Sequence, residues 1–115
     1  MKFNPAYSKG RPYYRQGKAY SGVYLIKHRG RVQYVGYSFN NVVKTAYRHF
    51  QRWEDPQQFR ATFPKTAELL ILPVRKQAVE KVEAYLIGKY QPEKNTNIPR
   101  IFLPDNYEPP AEVPF

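Results

Sequence analysis

Two early segments of the chain are rich in the β-branched and aromatic residues that favour strands. They are residues 21–28, SGVYLIKH, and residues 31–36, RVQYVG, and only Arg29 and Gly30 separate them. Two such segments around a short connection that contains glycine predict a β-hairpin. The polar run that follows, Ser38-Phe39-Asn40-Asn41, offers side chains that suit the N-cap of a helix.

From about Val42 to Trp53 the hydrophobic positions take a helical period. An apolar stripe at positions i, i+3, i+4 and i+7 is formed by Val43, Ala46, Tyr47 and Phe50. Trp53 extends this stripe, and Glu54-Asp55-Pro56 ends the predicted helix. The pattern therefore predicts a first helix directly after the hairpin.

The second half of the chain contains one further strand and one further helix. Residues 67–74, AELLILPV, predict a strand buried in the sheet, and residues 75–90 predict a helix that Gln91-Pro92 ends. The predicted order is strand, strand, helix, strand, helix. This order indicates an α/β (α+β) fold in which helices flank a small, mainly antiparallel, three-stranded sheet.

The predicted domain covers residues 21–97, and a segment of different composition lies on either side. Residues 1–20 form a basic, tyrosine-rich arm without a helical or strand period. The arm either contacts nucleic acid, with aromatic rings on bases and cations on phosphates, or only covers the edge of the sheet. Residues 98–115 form a proline-rich tail, which we expect to be extended and either wrapped over the domain or loose.

The composition limits the classes of protein to which the chain can belong. Its 115 residues are the size of one domain, and 42% hydrophobic residues suffice for one modest core. The absence of cysteine excludes disulfides, zinc–thiolate sites and cysteine nucleophiles. Because the sequence has no long apolar run and no secretory signal, we expect a soluble, cytoplasmic protein. Association with the nucleoid, or an origin in a phage or mobile element, is compatible with this expectation.

The charge of the chain is strongly positive. Lys and Arg number 19 and Asp and Glu number 9, which gives a net charge of +10. An excess this large on a small domain indicates a polyanionic partner, with nucleic acid first and an acidic membrane surface second. A membrane partner requires a basic amphipathic helix, and the pattern contains none to spare. A basic surface that only maintains solubility remains an alternative.

Glu83 interrupts the apolar stripe of the second predicted helix. On a helical wheel Val82, Leu86 and Tyr90 lie within about 60° of Val79, and Glu83 lies about 40° from it. Burying an ionised carboxylate costs several kcal/mol unless it is paired or binds a metal. Glu83 therefore either pairs with a lysine or arginine or faces a cleft and binds a metal ion.

Other polar side chains add to this candidate site. Lys44 and Arg48 lie four residues apart on one side of the first predicted helix, and His49 follows. With Tyr24 and Tyr34 of the hairpin, they supply two phenols, two cations and an imidazole. Together with a carboxylate, this set suits phosphoester hydrolysis, which needs a base for water, cations for phosphate and a metal for the leaving oxygen. It does not suit a serine triad, and no P-loop motif occurs.

The same residues carry a resemblance to the GIY-YIG nuclease family. Gly22-Val23-Tyr24 resembles its first signature and Tyr34-Val35-Gly36 its second, with Val in place of Ile in both. Tyr47-Arg48-His49-Phe50 resembles a helix motif of phage-type homing nucleases. Glu83 and the later Pro92-Glu93-Lys94-Asn95 resemble the metal-binding Glu and the Pro-x-x-Asn of the family. The resemblance covers residues 21–97, and its motifs follow one another in the family order.

The resemblance implies a role for each matching residue. Tyr24 would help to activate the attacking water as a general base, and Tyr34 would position water or phosphate. His49 would orient Tyr24 or assist proton transfer. Glu83 would bind one Mg²⁺ or Mn²⁺ ion, which prefers oxygen ligands, and Asn95 would brace the site.

One departure from the family pattern concerns its arginine. The family has an arginine eight residues after the second-signature glycine and a histidine four residues later. In this chain Lys44 lies eight residues after Gly36, Arg48 lies four further on, and His49 follows. Either the loop before the helix has gained a residue, which puts Thr45 at the arginine position, or Lys44 replaces the arginine. We expect Lys44, with Arg48 nearby, to hold the phosphate as a point charge.

The leading hypothesis is an active, metal-dependent endonuclease on duplex or branched DNA, acting as a monomer or transient dimer. A module that keeps the fold and binds nucleic acid without cleaving it is the second hypothesis, and Lys44 favours it. A basic interaction domain that offers its proline-rich tail is the third. The expected DNA-binding residues are Arg31, Lys44, Arg48, Arg52, Arg75 and Lys76. The simplest alternative for most of them is a solvated surface.

Overall fold

The computed structural model describes residues 2–15, 17–51, 62–95 and 103–110. Three short strands come first: β1 (Asn4–Pro5), β2 (Tyr7–Ser8) and β3 (Arg11–Pro12). The central elements are β4 (Gly22–His28), β5 (Arg31–Ser38), α1 (Val42–Tyr47) and a 3₁₀ turn (Arg48–Phe50). The last elements are β6 (Glu68–Pro73) and α2 (Val79–Tyr90). The fold is α+β, as expected from the sequence.

The main sheet is antiparallel and has the strand order β1-β6-β4-β5. The prediction of three strands was wrong, because β1 from the arm pairs with β6 and adds a fourth. A strand of two residues is too short to show an alternation of polar and apolar side chains, so its pattern could not be recognised. Strands β2 and β3 form a separate two-stranded sheet.

The hairpin and the helix N-cap lie where the sequence predicts them. Strands β4 and β5 pair around Arg29 and Gly30, whose φ angles of 56° and 77° are both left-handed. At the start of α1 the side chain of Asn41 accepts a hydrogen bond of 3.1 Å from the backbone N–H of Lys44. The Ser38 hydroxyl accepts from the Asn41 N–H at 3.0 Å and orders the approach to the helix.

Alternate residues of β4 serve two different cores. Val23 and Leu25 pack with α2 on one face of the sheet, and Tyr24 and Ile26 pack with α1 on the other face. The period of two along a strand produces this division. Because both faces are covered, the central strand is buried along residues 22–26.

Both helices begin or end at positions other than the predicted ones. Helix α1 ends at Tyr47, and the chain continues as the 3₁₀ turn. The Phe63 N–H donates a hydrogen bond of 2.8 Å to the His49 carbonyl. In a longer α-helix this carbonyl would instead accept from an N–H four residues later. The predicted helix ending, Trp53 to Pro56, lies outside the described residues. Helix α2 begins at Val79 and not at residue 75, because two hydrogen bonds with Ser21 still hold Val74 beside the sheet.

The arm and part of the tail lie against the domain. The Ala6 N–H donates 3.0 Å to the Ala67 carbonyl, and the buried Tyr47 hydroxyl donates 2.7 Å to the Ala6 carbonyl. In the described part of the tail, the Tyr107 ring lies 5.9 Å from the Tyr85 ring of α2. Within the described residues, the helices are too short or too polar for a bilayer crossing.

Candidate active site

Gly36 makes room for the central side chain of the site. Tyr24 of β4 is paired with Gly36 of β5, and the Tyr24 ring lies across the Gly36 Cα. A Cβ at Gly36 would lie 2.4 Å from both Cζ and the hydroxyl oxygen of Tyr24. Any side chain at position 36 would therefore displace the phenol.

Gly22 permits a second close approach, between α1 and the sheet. A Cβ at Gly22 would lie 2.4 Å from the Leu72 carbonyl oxygen and 3.2 Å from Cγ1 of Val42. The first contact involves backbone and cannot be relieved by a rotamer change. The two signature glycines thus set the positions of the phenol and of the helix that leads to His49.

Tyr24 and His49 form a buried polar pair. The Tyr24 hydroxyl oxygen lies 2.7 Å from His49 Nε2, and the two side chains are 3% and 2% exposed. A single histidine on a helix is most often at the surface, but His49 lies in the 3₁₀ turn and is buried. Because buried polar groups need partners, this hydrogen bond ties the turn to the sheet.

Tyr34 completes an aromatic and polar cluster with this pair. Its ring is stacked on Tyr24 with 6.1 Å between centroids and lies 4.5 Å from the His49 ring. Tyr34 is only partly buried, so it is the phenol nearer to solvent. The structure therefore brings together three of the side chains that the sequence motifs indicate.

Both phenols are held in their neutral form. Burial raises the pKa of Tyr24 well above 10, the charges of Tyr34 and Glu83 and the hydrogen bond with Tyr34 raise it further, and Arg48 lowers it. Burial also raises the pKa of Tyr34, as does the charge of Glu83, whereas the hydrogen bond with Tyr24 lowers it. Near neutral pH both side chains can therefore donate and relay protons, but neither is a free phenolate.

Glu83 is a partly buried carboxylate whose charge raises the pKa of both phenols. It belongs to α2, where its neighbours on the wheel, Val79, Val82 and Leu86, are buried as predicted. Burial raises the pKa of Glu83 to about 7, and the negative charge of Glu80 adds to the shift. Helix α2 packs mainly against the edge strand β5, which is the strand that carries Tyr34.

The candidate cations occupy different environments. Arg48 is partly buried, and its positive charge reaches Tyr24 and lowers the phenol pKa. Lys44 is exposed one turn earlier on α1, and Thr45 is partly buried beside it. The electrostatics therefore favour Arg48 as the cation that acts on the phenols, whereas the spacing of the motifs favoured Lys44.

Asn95 is a positioning residue rather than a member of the phenol cluster. Its Oδ1 accepts from the Val35 N–H at 2.8 Å, and its Nδ2 donates to the Val35 carbonyl at 2.7 Å. The amide thereby provides hydrogen-bond partners for the Val35 N–H and carbonyl, which lie on the unpaired edge of β5 between Tyr34 and Gly36. The brace that the resemblance implies thus acts on the backbone of the second signature.

The expected DNA-binding residues lie at the surface, with one outside the described residues. Arg31, Lys44, Arg75 and Lys76 are exposed, Arg48 is partly buried, and Arg52 falls within the undescribed residues 52–61.

The distribution of charge along the chain is a further signal of a nucleic-acid interface, which single motifs do not reveal. Residues 1–53 contain 11 Lys or Arg and no Asp or Glu, whereas residues 54–115 contain 8 and 9. The first 53 residues therefore carry the entire positive excess.

In the part of the chain that the structure describes, the candidate site offers a divalent metal ion one carboxylate ligand rather than a complete set of protein ligands. Among the described residues, His, Cys, Asp and Glu form no group of three that could hold a metal. Glu83 nonetheless fits such an ion, because its carboxylate is a hard oxygen ligand and is partly buried. Mg²⁺ commonly keeps several waters and uses one or two carboxylates with substrate phosphate.

Comparisons of this chain with protein-family models, with curated proteins and with solved structures find no match. Any functional assignment therefore depends on the geometry and on the sequence motifs alone.

Proposed function

We propose that this protein is a metal-dependent DNA endonuclease with a GIY-YIG-type site. The observation that carries the proposal is the buried hydrogen bond of 2.7 Å between Tyr24 and His49, with Tyr34 stacked beside it. The charge of Glu83 raises the pKa of both phenols, which supports a site that these three side chains share. A core would be more stable with apolar residues at these positions, and polar groups buried in this way concentrate at functional sites.

In the proposed reaction a water molecule attacks the phosphorus of a DNA phosphodiester. The new bond joins the water oxygen to phosphorus while the bond to the leaving sugar oxygen breaks. The water passes its proton to the Tyr24 hydroxyl as the Tyr24 proton moves to His49 Nε2. This route suits the raised pKa of Tyr24, because an imidazole accepts a proton near neutral pH and a buried phenol relays one.

Arg48 and Glu83 provide the electrostatic part of the proposed mechanism. In this proposal Arg48 donates hydrogen bonds to a non-bridging phosphate oxygen, which a guanidinium can do with two N–H groups. When bound at Glu83, a Mg²⁺ or Mn²⁺ ion supplies positive charge to the leaving oxygen. Glu83 must be ionised for this role, although its burial favours the protonated form. Solvent then provides the proton that the leaving oxygen takes up.

A plasmid-nicking assay with Mg²⁺ or Mn²⁺ tests this function. We expect nicking by the unchanged protein and a loss of about a hundredfold or more in Glu83→Gln, which removes the ionisable ligand and keeps the shape. Glu80→Gln is the matched control, because Glu80 is an exposed carboxylate on the same helix. Nicking at the full rate by Glu83→Gln would overturn the proposal.

A nucleic-acid-binding module without chemistry is the second candidate. The observation that favours it is that Tyr24 is only 3% exposed, so water must reach its hydroxyl past Tyr34. Lys44 at the position of the family arginine favours the same hypothesis. Salt-dependent DNA binding without nicking, unaffected by Glu83→Gln, would select this candidate.

A further inference from the structure

The arm contains a short β-hairpin at the surface of the protein. Strands β2 and β3 pair Ser8 with Arg11, and Lys9 and Gly10 between them have φ angles of 53° and 77°. Two consecutive positive φ angles are the signature of the tight turn that fits the twist of a two-residue hairpin loop. The hairpin therefore has a defined backbone shape, and Arg11 is an exposed residue of its second strand.

Two consecutive tyrosines after this hairpin have opposite environments. Tyr14 is tied to the domain, since its N–H donates 3.0 Å to the Tyr47 hydroxyl and its own hydroxyl donates 3.3 Å to the Leu69 carbonyl. Tyr13 points outward with 47% of its surface exposed, and its N–H donates 2.9 Å to the Ala6 carbonyl. Among the described residues, Tyr13 is the only exposed large hydrophobic side chain.

The surroundings of Tyr13 are purely basic in sequence. Residues 1–20 contain no Asp or Glu, and the exposed cations of the arm are Lys2, Lys9, Arg11, Arg15 and Lys18. Arg11 and Arg15 lie two residues before and two residues after Tyr13. An exposed aromatic ring between cations is the arrangement with which proteins bind single-stranded nucleic acid, because bases stack on the ring and phosphates meet the cations.

A short path of contacts links this surface to the candidate active site. Tyr47 receives a hydrogen bond from Tyr14 and donates one to Ala6, and burial raises its pKa to about 12, which keeps it a donor. Arg48 and His49 directly follow Tyr47 in the 3₁₀ turn. Tyr7 and Tyr14 of the arm pack on the core that contains Tyr24. The arm and the phenol cluster therefore belong to the same face of the sheet.

We propose that the arm binds an unpaired DNA strand, with a base stacked on Tyr13 and phosphates held by Arg11 and Arg15. Bases within a duplex are stacked on one another and offer no free face to an aromatic ring, whereas an unpaired base does. The proposal rests on the proposed function in that the bound strand leads to the candidate active site. It makes DNA with a single-stranded segment the preferred substrate class.

Binding measured by fluorescence anisotropy in EDTA tests the arm without cleavage. The probes are a labelled oligothymidine strand, a blunt duplex of two annealed strands, and the same duplex with a single-stranded overhang. We expect Tyr13→Ala to weaken binding of the strand and of the overhang probe about tenfold, and binding of the blunt duplex less than about twofold. Tyr13→Phe keeps the ring and should bind all three probes like the unchanged protein.

A pair of double variants tests the contribution of the charges. Arg11→Gln with Arg15→Gln should reduce the salt dependence of single-strand binding by about 1.4 in log–log slope, which is the loss of two phosphate contacts. Lys81→Gln with Lys94→Gln removes the same charge from exposed positions outside the arm and should leave the slope unchanged. Equal effects of the two double variants would overturn the proposal.

Two outcomes separate this proposal from the proposed function. If Tyr13→Ala weakens all three probes equally or none of them, the arm proposal is wrong, whether or not the protein nicks plasmid. If the protein never nicks plasmid but Tyr13→Ala selectively weakens the strand and overhang probes, the arm proposal stands and the nuclease assignment fails. A melting curve for each variant checks the fold, which the exposed position of Tyr13 leaves intact.

Discussion

The two faces of the central sheet are buried to a similar depth but have different chemistry. The face under α2 is apolar, with Val23, Leu25 and Leu86 at its centre. The face under α1 also contains the hydroxyls of Tyr24 and Tyr47 and the imidazole of His49. Apolar packing alone would stabilise both faces, so the difference indicates that the α1 face serves a function besides stability.

The polar groups of the α1 face are nevertheless fully accommodated. In the described part of the chain, every buried side-chain nitrogen or oxygen atom has a hydrogen-bond partner. Leaving such an atom unpaired costs about 1–3 kcal/mol, so these networks specify where each group lies. The comparison predicts that substitutions of the polar groups on the α1 face mainly reduce activity, whereas substitutions of the apolar residues on the α2 face mainly reduce stability.

The largest expected effect on activity follows from removing one oxygen atom on the α1 face. Tyr24→Phe keeps the ring over Gly36 but removes the hydroxyl that relays the proton to His49. We expect the rate of nicking to fall by about 10²–10⁴-fold, the usual contribution of a general acid–base group. The melting temperature should change by only a few degrees. A nicking rate within a factor of two of the unchanged protein would contradict the relay.

The next effect tests the space that Gly36 provides. Gly36→Ala adds a methyl group 2.4 Å from the Tyr24 ring, so the phenol must move away from His49. We expect a loss of about a hundredfold in nicking and about 1–3 kcal/mol in the free energy of unfolding, measured by urea denaturation.

Gly88→Ala is the matched control for that substitution. A Cβ at Gly88, on the exposed side of α2, meets no described atom within 4 Å. The same change should there stabilise the helix by up to about 1 kcal/mol and leave nicking unchanged. Similar behaviour of the two alanine variants would show that Gly36 has no special role.

On the α2 face the opposite balance is expected. Leu86 is fully buried in the apolar core, and Leu86→Ala should lower the free energy of unfolding by about 2–5 kcal/mol through lost burial and a cavity. Below the unfolding transition, the nicking rate per folded molecule should remain within a factor of about three, since the helix that carries Glu83 stays in place. A selective loss of activity without destabilisation would contradict the division between the faces.

The smallest effect is a pH dependence of stability that originates at Glu83. Burial raises the pKa of this carboxyl to about 7 in the folded protein, against an ordinary value of 4.5, so the folded state holds the proton more tightly than the unfolded chain. Stability from this group is therefore present below pH 4.5 and is lost as the pH rises to 7. After allowance for solvent screening the loss is about 1 kcal/mol.

Melting curves at pH 5 and pH 8 check this prediction. Glu83→Gln should remove most of the difference between the two pH values. Glu80→Gln should reduce it far less, because the Glu80 charge is only the smaller cause of the raised Glu83 pKa. Mn²⁺ should raise the melting temperature of the unchanged protein at pH 8 but not at pH 5, because a protonated carboxyl does not bind the ion. An equal stabilisation by Mn²⁺ in Glu83→Gln would exclude Glu83 as its ligand.

Most of the domain architecture could be predicted because its signals are local. The hairpin follows from two β-rich segments around Arg29 and Gly30, and the N-cap follows from Asn41 before a helical period. The partial burial of Glu83 could be predicted because a helical wheel places this carboxylate within an apolar stripe. In each case the residues that decide the structure lie within a few positions of one another.

The remaining features depend on contacts between distant residues and left no local signal. The pairing of β1 with β6 joins residue 4 to residue 69, and the engagement of Val35 by Asn95 spans 60 positions. The 3₁₀ turn that directs His49 inward depends on the Phe63 N–H and therefore on a later loop. The distribution of charge involves distant residues too, but it can be read from the sequence, because the first half of the chain is basic.

A crystal grown at pH 8 and soaked in Mn²⁺ tests the central claim most directly, because anomalous scattering locates the ion independently of activity. We predict an anomalous peak at coordination distance, about 2.1–2.2 Å, from a Glu83 carboxylate oxygen, on the side that faces Tyr24 and Tyr34. The Glu83→Gln crystal should lack this peak. A Glu83 side chain engaged in an ion pair, with no manganese at the phenol cluster, would contradict the assignment of this site as a metal-dependent nuclease centre.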